Sequence, residues 1–352
     1  MSTPQISRKE FMQLGGLALG GLALGASPLQ PLVQPANSKP NEAAGLVRVA
    51  VKEMRLYSEP SYQSDVVATR TRDQLLYVFE EFESDLGPDF NPRWYKVDEG
   101  YAHTAYLQPV QTHLQTPQVH INPQGELFEV SVPLTQSYRF TRARGWEKLY
   151  RLYYLSTHWV TGIAEGPDGA LWYEITDELL KITYHVLAEH LRKVPARELT
   201  PVNAHIPLHQ KYVEVSIPEQ RMWVYEEGAL IMDTKVSTGI PYLVSTNGIP
   251  TATPKGGFTV FSKMPVRHMG DGYITDDVEA YELPGVPWVS YFHEWGVAFH
   301  GTYWHDNYGN EMSHGCVNMK PHEAKWLFRW LMPESKYGQI QTVGNGTRIV
   351  VR

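Results

Sequence analysis

The stretch from His300 to Asn318 reads H-G-T-Y-W-H-D-N-Y-G-N-E-M-S-H-G-C-V-N and holds the chain's one cysteine, Cys316, behind histidines at 300, 305 and 314. A free thiol has a pKa near 8.5, so only a few per cent is thiolate at neutral pH, and an imidazole that takes its proton makes it a nucleophile. His300 and His314 are the candidate partners, and an ion pair of thiolate and imidazolium is the expected resting state. Ser313, Gly315 and Cys316 fall in a tight loop in which glycine permits unusual dihedrals. Such a loop can aim backbone N–H groups at one point, as an oxyanion hole requires. The bland reading of a lone cysteine, a small buried hydrophobe, is outweighed by these neighbours.

The elements around this stretch are β-type. Tyr212–Ile217 alternates as a strand, Pro218-Glu219 turns, Arg221–Tyr225 is a second strand, Glu227-Gly228 a hairpin turn and Ala229–Val236 a third strand. Phe258–Phe261 follows a Gly-Gly pair. Pro321 to Leu331 reads as a helix, with Pro321 in the first turn, Glu323 near its positive end, and Ala324, Leu327, Phe328 and Leu331 at 3–4 spacing. Gln341–Val343 and Arg348–Val351 read as closing strands around a Gly-Asn-Gly turn.

His300 followed by Ser313-His314-Gly315-Cys316-Val317-Asn318 resembles the catalytic signature of the L,D-transpeptidases of the YkuD type. Supporting stretches are Gln220–Tyr225, Val236-Ser237-Thr238-Gly239, Thr253-Pro254-Lys255-Gly256 and Val286-Pro287-Trp288. The resemblance implies that Cys316 is the nucleophile and His300 the general base, oriented by the Gly301 carbonyl. It implies that His314 and Gly315 shape the loop, with N–H groups near Gly315 and Cys316 receiving the oxyanion, and that Ser313 and Asn318 buttress the site. Asn318 stands where many members carry Arg, and with Tyr303 and Trp288 it is expected on the substrate side. The family uses no metal and no organic cofactor. The implied reaction is a 3→3 cross-link between peptidoglycan stem peptides: a thioester forms on the third stem residue, the terminal D-amino acid leaves, and a neighbouring stem's amine captures the acyl group. Water in place of that amine would make a carboxypeptidase.

Other chemistries fit less well. His300, His305, His314 and Asp306 include zinc-ligand types but lack a compact pattern such as H-E-x-x-H; His305 is expected on the surface or in packing. A papain-like or NlpC-type peptidase would put its cysteine ahead of its histidine, the reverse of the order here. A non-catalytic wall-binding protein would have no use for an intact Cys–His pair.

Upstream, short β-type runs (VRVAV, DVVATR, QLLYVFEEF, RWYKV, YAHTAYLQPV) alternate with turn signals up to Val110. A second stretch echoes them: Trp94–Asp98 is matched by Trp172–Asp177, and Tyr106–Val110 by His190–Val194. These units resemble bacterial SH3-like barrels. The expected fold is therefore mostly β: a β-rich catalytic domain with a short helix over 208–352, preceded by two small SH3-like β-barrels over 46–111 and 112–207.

At the start, Arg8-Lys9 precedes an apolar run from Leu14 to Ala26 and then small residues, the layout of an export signal over 1–27. The run is shorter than the about 20 residues of a spanning helix, so no stable membrane span is expected once the signal is removed. Ser7–Met12 resembles a twin-arginine signal with Lys9 in place of the second Arg, and a retained N-terminal anchor is the alternative. A Pro-, Gln-, Asn- and Ser-rich tether over 28–45 follows. An exported, cell-wall setting is expected, where an exposed unpaired thiol is prone to oxidation and its retention suggests a use.

Composition agrees with folded domains. The 352 residues are 42% hydrophobic, 20% charged and 12% aromatic, with 31 Lys and Arg against 38 Asp and Glu for a net charge of −7. No basic stripe supports a nucleic-acid partner, and one cysteine cannot form an internal disulfide.

Overall fold

The computed structural model describes residues 43–243 and 248–352. The export-signal expectation and most of the tether lie outside the described residues. The described chain is mostly β with one α-helix, as the strand-and-turn pattern of the sequence predicts.

The described residues form two compact units. One takes in the chain up to Val110 together with Trp304–Asn307; the other runs from Gln111 to Tyr303 and from Tyr308 to Arg352. The first unit contains a three-stranded and a five-stranded sheet around Val47, Val49, Leu56, Val97 and Leu107. Buried Arg48 crosses it, donating to Gln108 Oε1 at 2.9–3.0 Å and to Asp73 at 2.7 Å. A buried guanidinium requires such partners.

The second unit begins with a seven-stranded antiparallel sheet between Glu126 and Lys193. Trp94 and Trp172 occupy comparable places in the two units. Each lies on a strand that hairpins into the next, and a short 3₁₀ turn then leads to a strand pairing with the first of its group. Leu107–Val110 closes on Gly45–Val49, and Leu191–Lys193 on Glu126–Val130.

The remainder of this unit, two five-stranded sheets, carries His300 and Cys316. Strands β1 (Lys211–Ser216), β2 (Arg221–Glu226), β3 (Ala229–Lys235), β4 (Gly256–Thr259), β5 (Ser262–Gly270), β6 (Glu282–His293), β7 (Val297–Gly301) and β8 (Val317–Met319) precede helix α1 (Pro321–Trp330). Strands β9 (Thr342–Val343) and β10 (Arg348–Val351) follow it. One sheet runs β3-β2-β1-β10-β4 and the other β8-β7-β6-β5-β9. Alternation in β1 and β2 buries Val213, Val215, Met222 and Val224 on one face. Glu227 and Gly228 join β2 to β3 with φ of 53° and 82°, the left-handed pair that a two-residue hairpin needs.

α1 has Pro321 in its first turn and buries Ala324, Leu327, Phe328 and Trp330, the side that the 3–4 spacing predicts. The two closing strands are not a hairpin. β9 pairs with β5, whereas β10 lies between β1 and β4. Gly346 between them passes where a Cβ would stand 2.0 Å from Met332 O and 2.4 Å from Val260 O, so only glycine lets the chain cross from one sheet to the other.

The expected boundary at 207–208 falls inside this compact unit. One core cluster joins Leu127, Trp159, Val194 and Leu199 to Val213, Val266, Phe299 and Phe328. Polar bonds add to it: Thr157 Oγ1 donates to Pro265 O at 2.7 Å, and the buried His268 ring lies 2.6 Å from Asp177 Oδ2 and 2.8 Å from Glu282 Oε2. Carboxylates only accept, so both ring nitrogens donate and the ring is an imidazolium. Its pKa is accordingly raised to about 9, the two carboxylates outweighing burial.

Candidate active site

β7 and β8 run parallel, with Phe299 opposite Val317 and His300 opposite Asn318. Continuing that register one residue back sets Ala298 beside Cys316. Paired residues share a face and faces alternate along a strand, so His300, Ala298 and Cys316 lie on one side of the sheet. Across β6, Tyr291 pairs with Ala298, which extends the row through three strands. The half-buried Cys316 thiol is placed 3.7 Å from Gly296 O and meets the Ala298 N–H.

The loop before Cys316 is held by its own side chains. Ser313 Oγ donates to Cys316 O at 2.5 Å and accepts the Gly315 N–H at 3.1 Å. Gly315 has φ 119°, a conformation that disfavours any side chain. Its carbonyl accepts from Thr253 Oγ1 at 2.8 Å, and that oxygen accepts the Gly239 N–H at 2.8 Å. Gly239 forms a bridge with Ser313, and Ser237 one with Asn318. The His314 ring packs 5.2 Å from that of Tyr281.

His300 is 2% exposed, and its Nδ1 lies 3.1 Å from Gly301 O. A carbonyl can only accept, so Nδ1 carries the proton and Nε2 the lone pair. Burial lowers the His300 pKa to about 4, against the support of that carbonyl. Burial likewise pushes the Cys316 thiol up to about 11, partly opposed by the Ala298 N–H. Loss of hydration thus works against the charged form of each group taken singly.

Residues 210–351 match the family model of the L,D-transpeptidase catalytic domain, YkuD. The YkuD-like domain thus spans both five-stranded sheets, α1 and the whole His300–Asn318 stretch.

Solved structures similar to the chain include the catalytic domain of the E. faecium L,D-transpeptidase, at 28% identity over 40% of this chain and 96% of that one, TM-score 0.29. The L,D-transpeptidase from Mycobacterium smegmatis is 22% identical over 54% of this chain and 81% of that one, TM-score 0.32. That from Xylanimonas cellulosilytica is 23% identical, TM-score 0.30; 40% of this chain is covered, and the match spans 60% of that structure's length. No curated protein matches the chain.

Within the YkuD-like domain several expected placements change. Trp288 is 1% exposed and Tyr303 2%. The first packs on Phe328 and under Lys325, and the second donates from its hydroxyl to Pro284 O at 2.9 Å. Both are core residues with no surface to offer a substrate. Asn318 is 1% exposed and exchanges backbone bonds with Ser237, so it supports the loop without reaching the cleft. The Gly315 N–H, expected at the oxyanion, is turned to Ser313 Oγ. His305 is buried, at 3% exposure, and Asp306 pairs with Arg93 at 2.6 Å within the first unit. Tyr291, Tyr281 and the Gly296 carbonyl escape the sequence reading, since sheet register sets Tyr291 in the Cys316 row, ring packing sets Tyr281 on His314, and the turn before β7 brings Gly296 O to the thiol.

Proposed function

We propose that the chain is an L,D-transpeptidase that cross-links peptidoglycan stem peptides through a thioester on Cys316. The observation that carries this reading is the shared sheet face of His300 and Cys316 inside the stretch that matches the family model. The proposed setting is the cell wall, outside the cytoplasm; among the described residues no helix is long and apolar enough to cross a membrane.

The sulfur attacks the carbonyl at the L-centre of the third stem residue as His300 Nε2 takes the thiol proton. The proton leaves sulfur as the new bond forms. The Cys316 N–H receives the oxyanion. Collapse breaks the C–N bond, the imidazolium returns its proton to the leaving amine, and the terminal D-amino acid departs. An amine of a second stem then attacks the thioester: a C–N bond forms, the C–S bond breaks, and the proton lost by the amine returns through His300 to sulfur. Water in the second step gives a carboxypeptidase product at the same site.

The test is product analysis of the purified protein on defined disaccharide-tetrapeptides. Dimers joined between third residues, with free terminal D-amino acid, support the reading; intact substrate after prolonged incubation contradicts it.

A further inference from the structure

Asp177, which holds the Nδ1 side of the buried His268 ring, directly follows the strand Leu171–Thr176 of the seven-stranded sheet. It therefore lies upstream of the YkuD-like domain. Its other oxygen accepts the N–H groups of Leu179 and Leu180 at 2.9 and 2.8 Å, so both oxygens are held. The Nε2 side of the ring holds Glu282, the first residue of β6. Glu282 Oε1 in turn accepts the Tyr273 N–H at 2.7 Å. Tyr150, on the seven-stranded sheet, donates its hydroxyl to Tyr273 O at 2.7 Å, and the Asp271 N–H donates to Tyr281 O at 3.0 Å. The connection 271–281 between β5 and β6 is thus tied at both ends. Tyr281, beside Glu282, sets its ring 5.2 Å from that of His314, and Cys316 follows in the same loop.

A protonated ring donates to both carboxylates, whereas a neutral ring has one N–H and one lone pair. Loss of the proton therefore turns a lone pair on one carboxylate and breaks that bond. Asp177 keeps its two backbone donors, so Glu282 is the side that lets go. The other groups facing His268 do not replace this bond. Glu178 Oε1 accepts the His268 backbone N–H at 2.6 Å and is answered by Arg267 Nη1 at 3.5 Å. The Tyr150 ring meets His268 edge-on at 5.3 Å, and burial raises both Tyr150 and Tyr184, which stay neutral phenols. His158, lowered to about 3 by burial, is neutral as well.

We propose that the Asp177–His268–Glu282 bridge positions the nucleophile: by fixing Glu282 it seats Tyr281 against His314 and so holds the turn that carries Cys316. The inference rests on the transpeptidase reading and deepens it. The four residues are positioning residues, acting on the thiol through the loop and not on the substrate. The seven-stranded region becomes a working part of the enzyme, since it supplies Asp177 and the Tyr150 hydroxyl to the connection that reaches the site.

The test is a double-mutant cycle on turnover of a synthetic tetrapeptide stem by the full-length protein. His268→Gln and Tyr281→Ala should each lower kcat about tenfold while KM stays within about twofold. The double variant should be no slower than the slower single one, because both act through one chain of contacts. Tyr281→Phe, which keeps the ring, should recover most of the lost rate. Wild-type kcat should also fall as pH rises through about 9, where His268 loses its proton, and Y281A should lack that limb. The pH comparison decides the matter alone if H268Q does not fold. The proposal is overturned by wild-type kcat in either single variant, by a loss confined to KM, by effects that multiply in the double variant, or by the same alkaline limb in Y281A. Failure of the transpeptidase reading has a separate signature: wild-type protein releases no terminal D-amino acid at any pH. Amide hydrogen exchange over 313–318 then carries the cycle, faster in each single variant than in wild type and no faster in the double; equal protection in all four proteins overturns the bridge.

Discussion

A Cβ placed on Gly239 would stand 2.7 Å from the Cα and the backbone nitrogen of Gly315, and 2.1 Å from Thr251 O. The segment that follows β3 therefore touches the cysteine loop backbone to backbone. Gly239→Ala should displace that loop, costing about 1–3 kcal/mol of stability and lowering kcat more than it raises KM. Thermal melting and steady-state kinetics check both; an alanine variant with wild-type kcat would show that this contact does not position Cys316.

Thr253 joins the same two glycines through hydrogen bonds at 2.8 Å. Thr253→Val keeps the shape and strands a buried N–H and a buried C=O, each worth about 1–3 kcal/mol. Denaturant unfolding should find the variant destabilised by roughly that amount, whereas Thr253→Ser should recover most of it. Equal stability of Val and Ser variants would contradict the assignment.

The lowered His300 and the raised Cys316 set the expected pH behaviour. With His300 lowered to about 4 and Cys316 raised to about 11, the reactive protonation state persists between these values. The pH profile of kcat/KM should be broad, with its acid limb near 4. Alkylation of Cys316 by iodoacetamide should keep accelerating above pH 9, since thiolate accumulates only toward 11. An acid limb near 6.5, or alkylation already at its plateau at pH 7, would indicate the ion pair instead.

His268 tests how the seven-stranded sheet is joined to the YkuD-like domain. Its folded pKa is raised to about 9 from about 6.5 in the unfolded chain. Its stabilisation is thus complete below about 6.5 and is lost as pH rises through 9. His268→Gln leaves Asp177 and Glu282 facing an uncharged group, a loss of about 3 kcal/mol or more near pH 6. Lys263, lowered to about 7 by burial, has the opposite slope and is common to both proteins. The informative quantity is therefore the gap in unfolding free energy between wild type and H268Q, which should narrow from pH 6 to pH 10. A gap independent of pH would refute the imidazolium bridge.

Local signals made part of this molecule legible in its sequence. The Glu227-Gly228 hairpin and α1 are each written within a dozen residues, and Ser313–Asn318 is one contiguous motif. β6 was obscured because Pro284, Gly285 and Pro287 interrupt its pattern, and Trp288 sits at φ 62° within it. Trp288 and Tyr303 mislead because an aromatic residue type is the same whether it fills a core or lines a cleft. Tyr291 joins the Ala298–Cys316 row only through cross-strand register, and Glu178 meets Arg267 only through contact between the two β regions of one compact unit. The charge state of the His300–Cys316 pair depends on burial, which no local spacing encodes.

The reading stands most directly on one bond between sulfur and an acyl carbon. Wild-type protein quenched in acid during turnover of a tetrapeptide stem, then digested and examined by mass spectrometry, should carry the tripeptidyl group on Cys316. His300→Gln should slow its formation by about a thousandfold or more, and Cys316→Ala should show none. Turnover that continues in C316A, or an acyl group mapped to any other residue, would contradict the account.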